Sequence, residues 1–261
     1  MQTPSFSRLL DQIADRSAAF RAAAGQAPPG TPVPGCPDWS VADLVAHLGE
    51  VQRFWAAVVA AGPGQPPPSD DQVPGRLPSG DPLAWSAAST ETLLTALTEA
   101  GPDRGCWTWW QSSPDPQTSG AVARHQVHEA AVHARDAQQA SGRAEPLPAD
   151  AAADGVAEFI TVGLGAVPGW AKDPGKAWPH APGRVELRAD EGGQWLIGLR
   201  PAGAALLAED GPGPGQERTA ALGGTASDLL LFLYGREPAG TVRITGDREL
   251  VTQLTNWAPT D

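Results

Sequence analysis

The sequence predicts a helical bundle followed by a smaller domain that mixes helices with strands. Amphipathic patterns of bundle length recur four times in the first half of the chain. Alternating strand patterns joined by turn residues appear only in the second half. An all-helical half followed by a mixed half indicates an α class domain and then an α+β domain. We predict the bundle over 1–150, a connecting helix and linker over 151–180, and the α+β domain over 181–261.

The four predicted helices of the first domain have the length and loops of an up-and-down bundle. The first covers 4–25. The second follows Ser40, which is a good N-cap, and Asp43 three residues later suits the back-bonding position of a capping box. The third runs through 82–101, and the fourth spans about 119–141.

The predicted second domain begins after a possible fifth helix over 154–167. Residues 183–190 and 193–201 alternate in polarity and are separated by a Gly-rich turn, so they predict a β-hairpin. A short strand, a helix, a strand and a closing helix are then predicted over 219–224, 225–236, 240–247 and 247–257.

Composition excludes some classes of partner. The chain has 261 residues and a formal net charge of −12 with 18 Lys and Arg, so we expect binding neither to nucleic acid nor to an anionic membrane. No apolar run approaches the ~20 residues of a membrane span. We therefore expect a cytoplasmic protein, in which the two cysteines, Cys36 and Cys106, stay reduced and Cys36 packs within a loop.

The stretch HQVHEAAVHARDA, beginning at His125, holds three of the five histidines in the chain. On a helix, Glu129 and His133 lie one turn apart, and His125 and Asp136 fall on the same face within an arc of roughly 80°. His128 points about 100° away from Glu129, toward a face that we expect to be wet, and is not expected to bind metal.

Two ligands at i and i+4 on one helix can hold one divalent ion. Imidazole and carboxylate suit zinc or another divalent first-row metal. His47, on the second helix, can supply a third ligand and leave a coordination position open, as in catalytic sites. His125 could replace or join His133, because both are one turn from Glu129. The alternative is a solvated helix face crossed by i,i+4 pairs.

Three segments resemble a known family. CPDWSVADLVAHLGEVQRFW and RHQVHEAAVHARDAQQASG resemble the two signatures of the mycothiol-dependent maleylpyruvate isomerase family, whose bundle is DinB-like. The tail GGTASDLLLFLYGREPAGTVRITGD resembles the C-terminal domain of that family, which is similar to sterol-carrier-type α+β folds. The family pattern of Glu, three residues, His, two residues and Asp falls on Glu129, His133 and Asp136.

The resemblance implies a divalent metal, usually zinc, held by His47, Glu129 and His133. Asp136 is then expected to lie just outside the ligand set and to orient His133 through its other ring nitrogen. A salt bridge along the helix is the alternative role for Asp136. We also place His125 just outside the ligand set.

The resemblance also implies a role for Arg236, in the Gly-Arg pair of the second domain. Its guanidinium could bind a carboxylate of the substrate or of the thiol cofactor. The alternative is an exposed arginine favoured by the dipole of a helix end.

The implied activity is that of a thiol-dependent isomerase or thiol S-transferase. The metal would activate mycothiol, a low-molecular-weight thiol, toward an electrophilic small molecule. Two alternatives remain: a metal-dependent hydrolase without a thiol cofactor, and a non-catalytic protein that binds a small ligand. Metal content separates the enzymes from the binding protein, and thiol dependence separates the two enzymes.

Overall fold

The computed structural model describes residues 3–165, 177–208 and 217–258. The chain forms two compact units. The first contains 3–108 and 116–147, and the second contains 109–115 together with the described residues from 148 onward. The short segment 109–115 is thus part of the second unit although its neighbours on both sides belong to the first. The predicted linker over 151–180 lies partly outside the described residues.

Four long helices build the first unit, and each lies within a few residues of its predicted position. A side chain caps the N-terminus of each helix by accepting a backbone N–H, which satisfies one of the donors that a helix start leaves unpaired. The helices are α1 Phe6–Ala24, α2 Val41–Ala61, α3 Pro82–Ala100 and α4 Ser119–Ala140. The predicted helical bundle is confirmed.

The order of helices around the bundle is a detail that the sequence does not predict. α1 packs along α4 and α2 packs along α3, whereas two other pairs that follow each other in the chain, α1–α2 and α3–α4, make little contact. An apolar cluster that includes Phe20, Leu44, Leu48 and Ala134 joins α1, α2 and α4. This packing sets the N-terminal half of α2 against α4, the helix that carries the predicted metal ligands.

A small hairpin between α1 and α2 was not predicted. Its strands are β1, Pro32–Val33, and β2, Cys36–Ser40. Ser40 ends β2 and also begins α2: its hydroxyl accepts the N–H of Asp43, whose carboxylate accepts the N–H of Ser40. The predicted capping box is therefore present, and it joins strand and helix without a loop.

The second unit begins with α5, Ala149–Glu158, which continues into a short π-helical stretch, Phe159–Leu164. A five-stranded sheet follows, in the order β5-β4-β3-β6-β7, with β3 and β6 parallel and the other neighbours antiparallel. The strands are β3 Gly183–Ala189, β4 Gln194–Arg200, β5 Gly203–Leu207, β6 Arg218–Gly224 and β7 Arg243–Gly246, and the helices are α6 Ala226–Leu233 and α7 Arg248–Trp257.

This mixed unit confirms the predicted α+β fold, including the hairpin of β3 and β4. Only β5 was missed, because its sequence, GAALL, does not alternate in polarity. The last residues of the predicted fifth helix, 166–167, lie outside the described part of the chain. Among the described residues, no helix is long and apolar enough to cross a membrane.

Candidate metal centre

The structure brings the three predicted ligands together between α2 and α4. Nε2 of His47 lies 3.0 Å from Oε1 of Glu129. One turn further along α4, Nε2 of His133 lies 3.4 Å from the same oxygen. The three residues can each offer one ligand atom, and these atoms all lie within 4.8 Å of one another. Two imidazoles and a carboxylate thus converge on a space that suits one cation.

Asp136 supports this arrangement from the far side of His133. The Asp136 side chain is fully buried, and its Oδ2 lies 2.9 Å from Nδ1 of His133. When Nδ1–H donates to this carboxylate, the lone pair of Nε2 is directed at Glu129, where a metal ligand needs it. The spacing of three residues along α4 is what places Asp136 against His133.

Charge is concentrated in this cluster. Burial acts to raise the pKa of Glu129, but hydrogen bonds and charge from His133 and then His47 outweigh it and hold that pKa well below its usual range. Burial acts to lower the pKa of His133, but the carboxylates of Asp136 and Glu129 outweigh it and raise that pKa to about 9. Without a metal, a proton on His133 therefore brings positive charge to the site.

Trp39, at the end of β2, covers the two imidazoles and was missed in the sequence. Its ring centroid lies 4.6 Å from that of His47 and 6.0 Å from that of His133. The two histidine rings are themselves 5.0 Å apart and nearly perpendicular. Trp39 is half-buried, so it forms an apolar wall beside the ligands. No periodic pattern marks this residue, which precedes the helix cap.

Cys36 is also part of this region, which corrects its interpretation as a loop residue. It lies on β2, is only 7% exposed, and its Sγ is 3.7 Å from Oδ2 of Asp136. Cys36, His133 and Asp136 form a second group whose ligand atoms are close together. The two cysteines of the chain form no disulfide in the described structure.

The other two histidines of α4 lie outside these groups. The ring of His125 packs edge-on against Trp55 at 5.8 Å, and Trp55 in turn stacks with Trp107. Neither metal-binding group among the described residues includes His125, so its place near the ligands stays a prediction. The prediction that His128 faces water is wrong, since it is 1% exposed. α4 has buried residues around most of its circumference, which a single apolar stripe does not describe.

Arg236 belongs to the second unit. It follows α6 and Gly235, whose φ of +69° permits the turn that ends the helix. The backbone N–H of Arg236 donates to the carbonyl of Leu231, and its Nη1 donates to the carbonyl of Tyr234 at 3.0 Å. Its role toward substrate stays a prediction.

Comparison with known families bears on this site. A model of the mycothiol maleylpyruvate isomerase N-terminal domain matches residues 10–138, and a model of the MDMPI C-terminal domain, of the same family, matches residues 150–253. The chain belongs to the mycothiol-dependent maleylpyruvate isomerase family. The resemblance predicted from the sequence and the expectation of an enzyme are both confirmed. No curated protein matches the chain in sequence.

Two similar solved structures are crystal structures of the mycothiol-dependent maleylpyruvate isomerase, one of them a histidine-to-alanine mutant. Each covers 95% of this chain and 97% of its own, with a TM-score of 0.63 and 14% sequence identity. At that identity the likeness shows the fold, which agrees with a helical bundle followed by an α+β domain.

Proposed function

We propose that the chain is a divalent-metal enzyme that uses mycothiol to convert an electrophilic small molecule. The observation that carries the proposal is the convergence of His47, Glu129 and His133 from two helices of a bundle that matches this family. The solved relative is named for maleylpyruvate, so that compound is the first substrate to test. We propose isomerisation as the reaction, and transfer of the thiol onto the substrate as the alternative.

The donor set fits zinc. Two imidazole nitrogens and one carboxylate oxygen are ligands that zinc takes in catalytic sites, where a further position stays open. The side chains of His47 and Glu129 are 32% and 21% exposed, so a small molecule can reach the ligands from solvent. Asp136 holds His133 in the tautomer that ligation requires.

The chemistry follows from charge. A divalent cation held by these residues would lower the pKa of a coordinating thiol and keep it as a thiolate at neutral pH. Such a thiolate would supply reversible addition to a conjugated carbon–carbon double bond, which would let the substrate rotate and regain its double bond in the other geometry when the thiolate leaves. If the adduct instead took up a proton and were kept, the reaction would be a transfer.

The residues of the chain have separate tasks in this proposal. His47, Glu129 and His133 hold the cation, and Asp136 holds the proton on Nδ1 of His133. Trp39 excludes water from one side of the ligands. We assign to Arg236 the binding of a carboxylate on the substrate or thiol. A cytoplasmic location is part of the proposal and agrees with two cysteines that form no disulfide.

The test is a rate assay with zinc-loaded protein, mycothiol and maleylpyruvate. We expect isomerisation that needs both zinc and mycothiol and that is lost in His47→Ala. Turnover that needs zinc but no thiol would favour the hydrolase. A protein that takes up no metal would favour the small-ligand binding protein instead.

A further inference from the structure

We propose that Cys36 is a positioning residue of the metal centre, acting through Asp136 on His133. This inference rests on the metal site of the proposed function. The thiol lies 3.7 Å from Oδ2 of Asp136, and the same oxygen lies 2.9 Å from Nδ1 of His133. The thiol of β2 and the imidazole of α4 therefore both donate to one buried carboxylate oxygen.

The two donors come from different elements, and this gives the contact its effect. The terminal torsion of an aspartate side chain is broad, so the plane of its carboxylate is defined by the donors around it. A donor from β2 and another from α4 fix the position of Oδ2 from two directions. A fixed acceptor holds the imidazole plane of His133 and aims Nε2 at the metal position. Loss of a partner that contacts a ligand directly, as Asp136 does, typically costs about 10–100-fold in metal affinity, so the lower end of that range is expected for Cys36, which is one contact further out.

The packing of β2 shows that the approach of Cys36 is built into the fold. Cys36 belongs to the same apolar cluster as Ala134, two residues before Asp136, and Ala137, directly after it. Small side chains there let the strand come close to α4. On the strand, Cys36 is paired with Val33, which is fully buried. The thiol is thus held in place from its own hairpin as well as from the helix.

Direct ligation of a metal by Cys36 is the competing role. Cys36, His133 and Asp136 lie close enough together to hold an ion. His133 would then ligate through Nδ1, and the hydrogen bond to Asp136 would be lost. Through its Nε2, His133 can instead join Glu129 and His47 in a site that solvent reaches. We therefore assign the thiol of Cys36 to hydrogen bonding and not to ligation.

Zinc affinity, measured by competition with a chromophoric chelator, provides the first test. Cys36→Val keeps the approximate size and removes the donor, and we expect affinity to fall by about tenfold. Cys36→Ser keeps a donor and should stay within about threefold of the wild type. Asp136→Asn should fall at least as far as Cys36→Val. In the double variant, Cys36→Val should add nothing to Asp136→Asn, because both changes interrupt one path. Cys106→Val, at the other buried thiol, is the control and should match the wild type.

Additive effects in the double variant, or unchanged zinc affinity in Cys36→Val, would overturn the proposal. So would an intense thiolate-to-cobalt charge-transfer band in the Co(II) protein that disappears in Cys36→Ser, because it would make Cys36 a ligand. Where Cys36→Val does not fold, Cys36→Ala replaces it.

A measurement on the metal-free protein separates this inference from the metal proposal. The Nδ1–H proton of His133, followed by NMR, should exchange faster with solvent in Cys36→Val than in the wild type. Faster exchange in a protein that binds no zinc would support the positioning of His133 by Cys36 and contradict the proposed metal site. Unchanged exchange together with unchanged zinc affinity would remove the positioning role alone.

Discussion

Two polar clusters lie inside the same bundle, and α2 contributes to both. In one, Nε2 of Gln52 donates to Oγ of Ser17 at 2.9 Å, and Oγ1 of Thr90 donates to Oε1 of Gln52 at 2.8 Å. All three residues are buried and neutral. Nη1 of Arg21 also donates to Oγ1 of Thr90 at 3.0 Å, so the acceptors of this cluster are met by donors, which is the ordinary way to bury polar groups in a core.

The cluster of candidate metal ligands is built differently. The carboxylates of Glu129 and Asp136 face the imidazoles of His47 and His133, so acceptors are in excess unless a cation joins them. A proton on His133 satisfies the group in part, as its raised pKa shows. The comparison teaches that a buried polar cluster whose acceptors are matched by donors serves stability, whereas one with more negative than positive charge favours the binding of a cation.

Removal of the ligands should have the largest effect on zinc affinity. If it has no such effect, the contrast between the two clusters is wrong. His47→Ala and His133→Ala should each cost at least about tenfold, or ~1.4 kcal/mol. Glu129→Gln keeps the size, loses the charge and should weaken zinc binding while sparing the metal-free fold. Calorimetric titration gives affinity and stoichiometry, expected to be one ion per chain in the wild type.

His128→Ala is the matched control on the same helix. It should keep the zinc stoichiometry, although the loss of a buried side chain should lower the melting temperature. A tight zinc site that survives all three ligand substitutions would contradict the assignment.

A change of pH should have the next largest effect. In the metal-free protein zinc must displace the proton of His133, whose pKa is about 9. Apparent affinity should therefore rise by about tenfold per pH unit up to that pKa and then level off. Calorimetry in buffers of different ionisation enthalpy should show proton release at pH 7 that fades above pH 9. Affinity that stays flat between pH 7 and pH 9 would mean that His133 is already neutral.

The same proton affects the stability of the metal-free protein, with a sign that follows from the direction of the shift. The folded pKa of His133 is raised above the ordinary value of about 6.5. Its contribution to the free energy of unfolding is therefore full below about pH 6.5 and is lost as pH rises through about 9. Denaturant unfolding across this range, with His133→Gln as the control, measures it.

Trp39 should have a smaller effect on zinc affinity. Its ring packs against both imidazoles but donates nothing to the metal. Trp39→Ala should lower zinc affinity by roughly threefold, because the loss of partners that hydrogen-bond to the ligands lowers it by more. Trp39→Phe should retain most of the wild-type affinity. Co(II) binding should quench the fluorescence of the wild type more than that of Trp39→Phe. Equal quenching in both proteins would place the metal away from this ring.

A substitution in the Gln52 cluster should have the smallest effect on zinc affinity. It tests the comparison at the cluster that we assign to stability. Gln52→Leu removes the amide that bonds to the hydroxyls of Ser17 and Thr90 and should cost about 1–3 kcal/mol of stability. Thr90 keeps its contacts with the carbonyl of Ser86 and with Arg21. Zinc affinity should stay within about twofold. Thermal unfolding and chelator competition on one sample measure both. A large loss of affinity at normal stability would show that the two clusters are coupled.

The sequence predicted the helices and the candidate ligands of α4 for a physical reason. Helical periodicity ties Glu129, His133 and Asp136 together within one segment, so their spacing alone places them on one face. His47 was a candidate because it is the other histidine of the predicted bundle, and only the family resemblance joined it firmly to the set, since no local pattern gives the order of helices around a bundle.

The residues that were missed depend on contacts between distant segments. Cys36 and Asp136 are 100 residues apart, and Pro32–Val33 is too short a strand to alternate. His128 was placed in water because the wheel of α4 was given one apolar face, whereas the helix is buried on several sides. The raised pKa of His133 depends on Asp136 and Glu129 approaching it together, and no single-residue reference value contains that.

The junction at Ser40 limits which insertions or deletions this site can accept and how it could be grafted onto another protein. Cys36, Trp39 and His47 lie on one uninterrupted piece of chain, in which the strand becomes the helix at Ser40 with no loop between them. No slack exists to absorb an added or lost residue there. A single insertion after Ser40 would turn His47 by about 100° around α2 while the thiol and the indole stayed where they are. The number of residues from Cys36 to His47 therefore fixes how the thiol, the indole and the imidazole are placed relative to one another. A graft of the site onto another bundle would have to include this whole stretch unchanged in length.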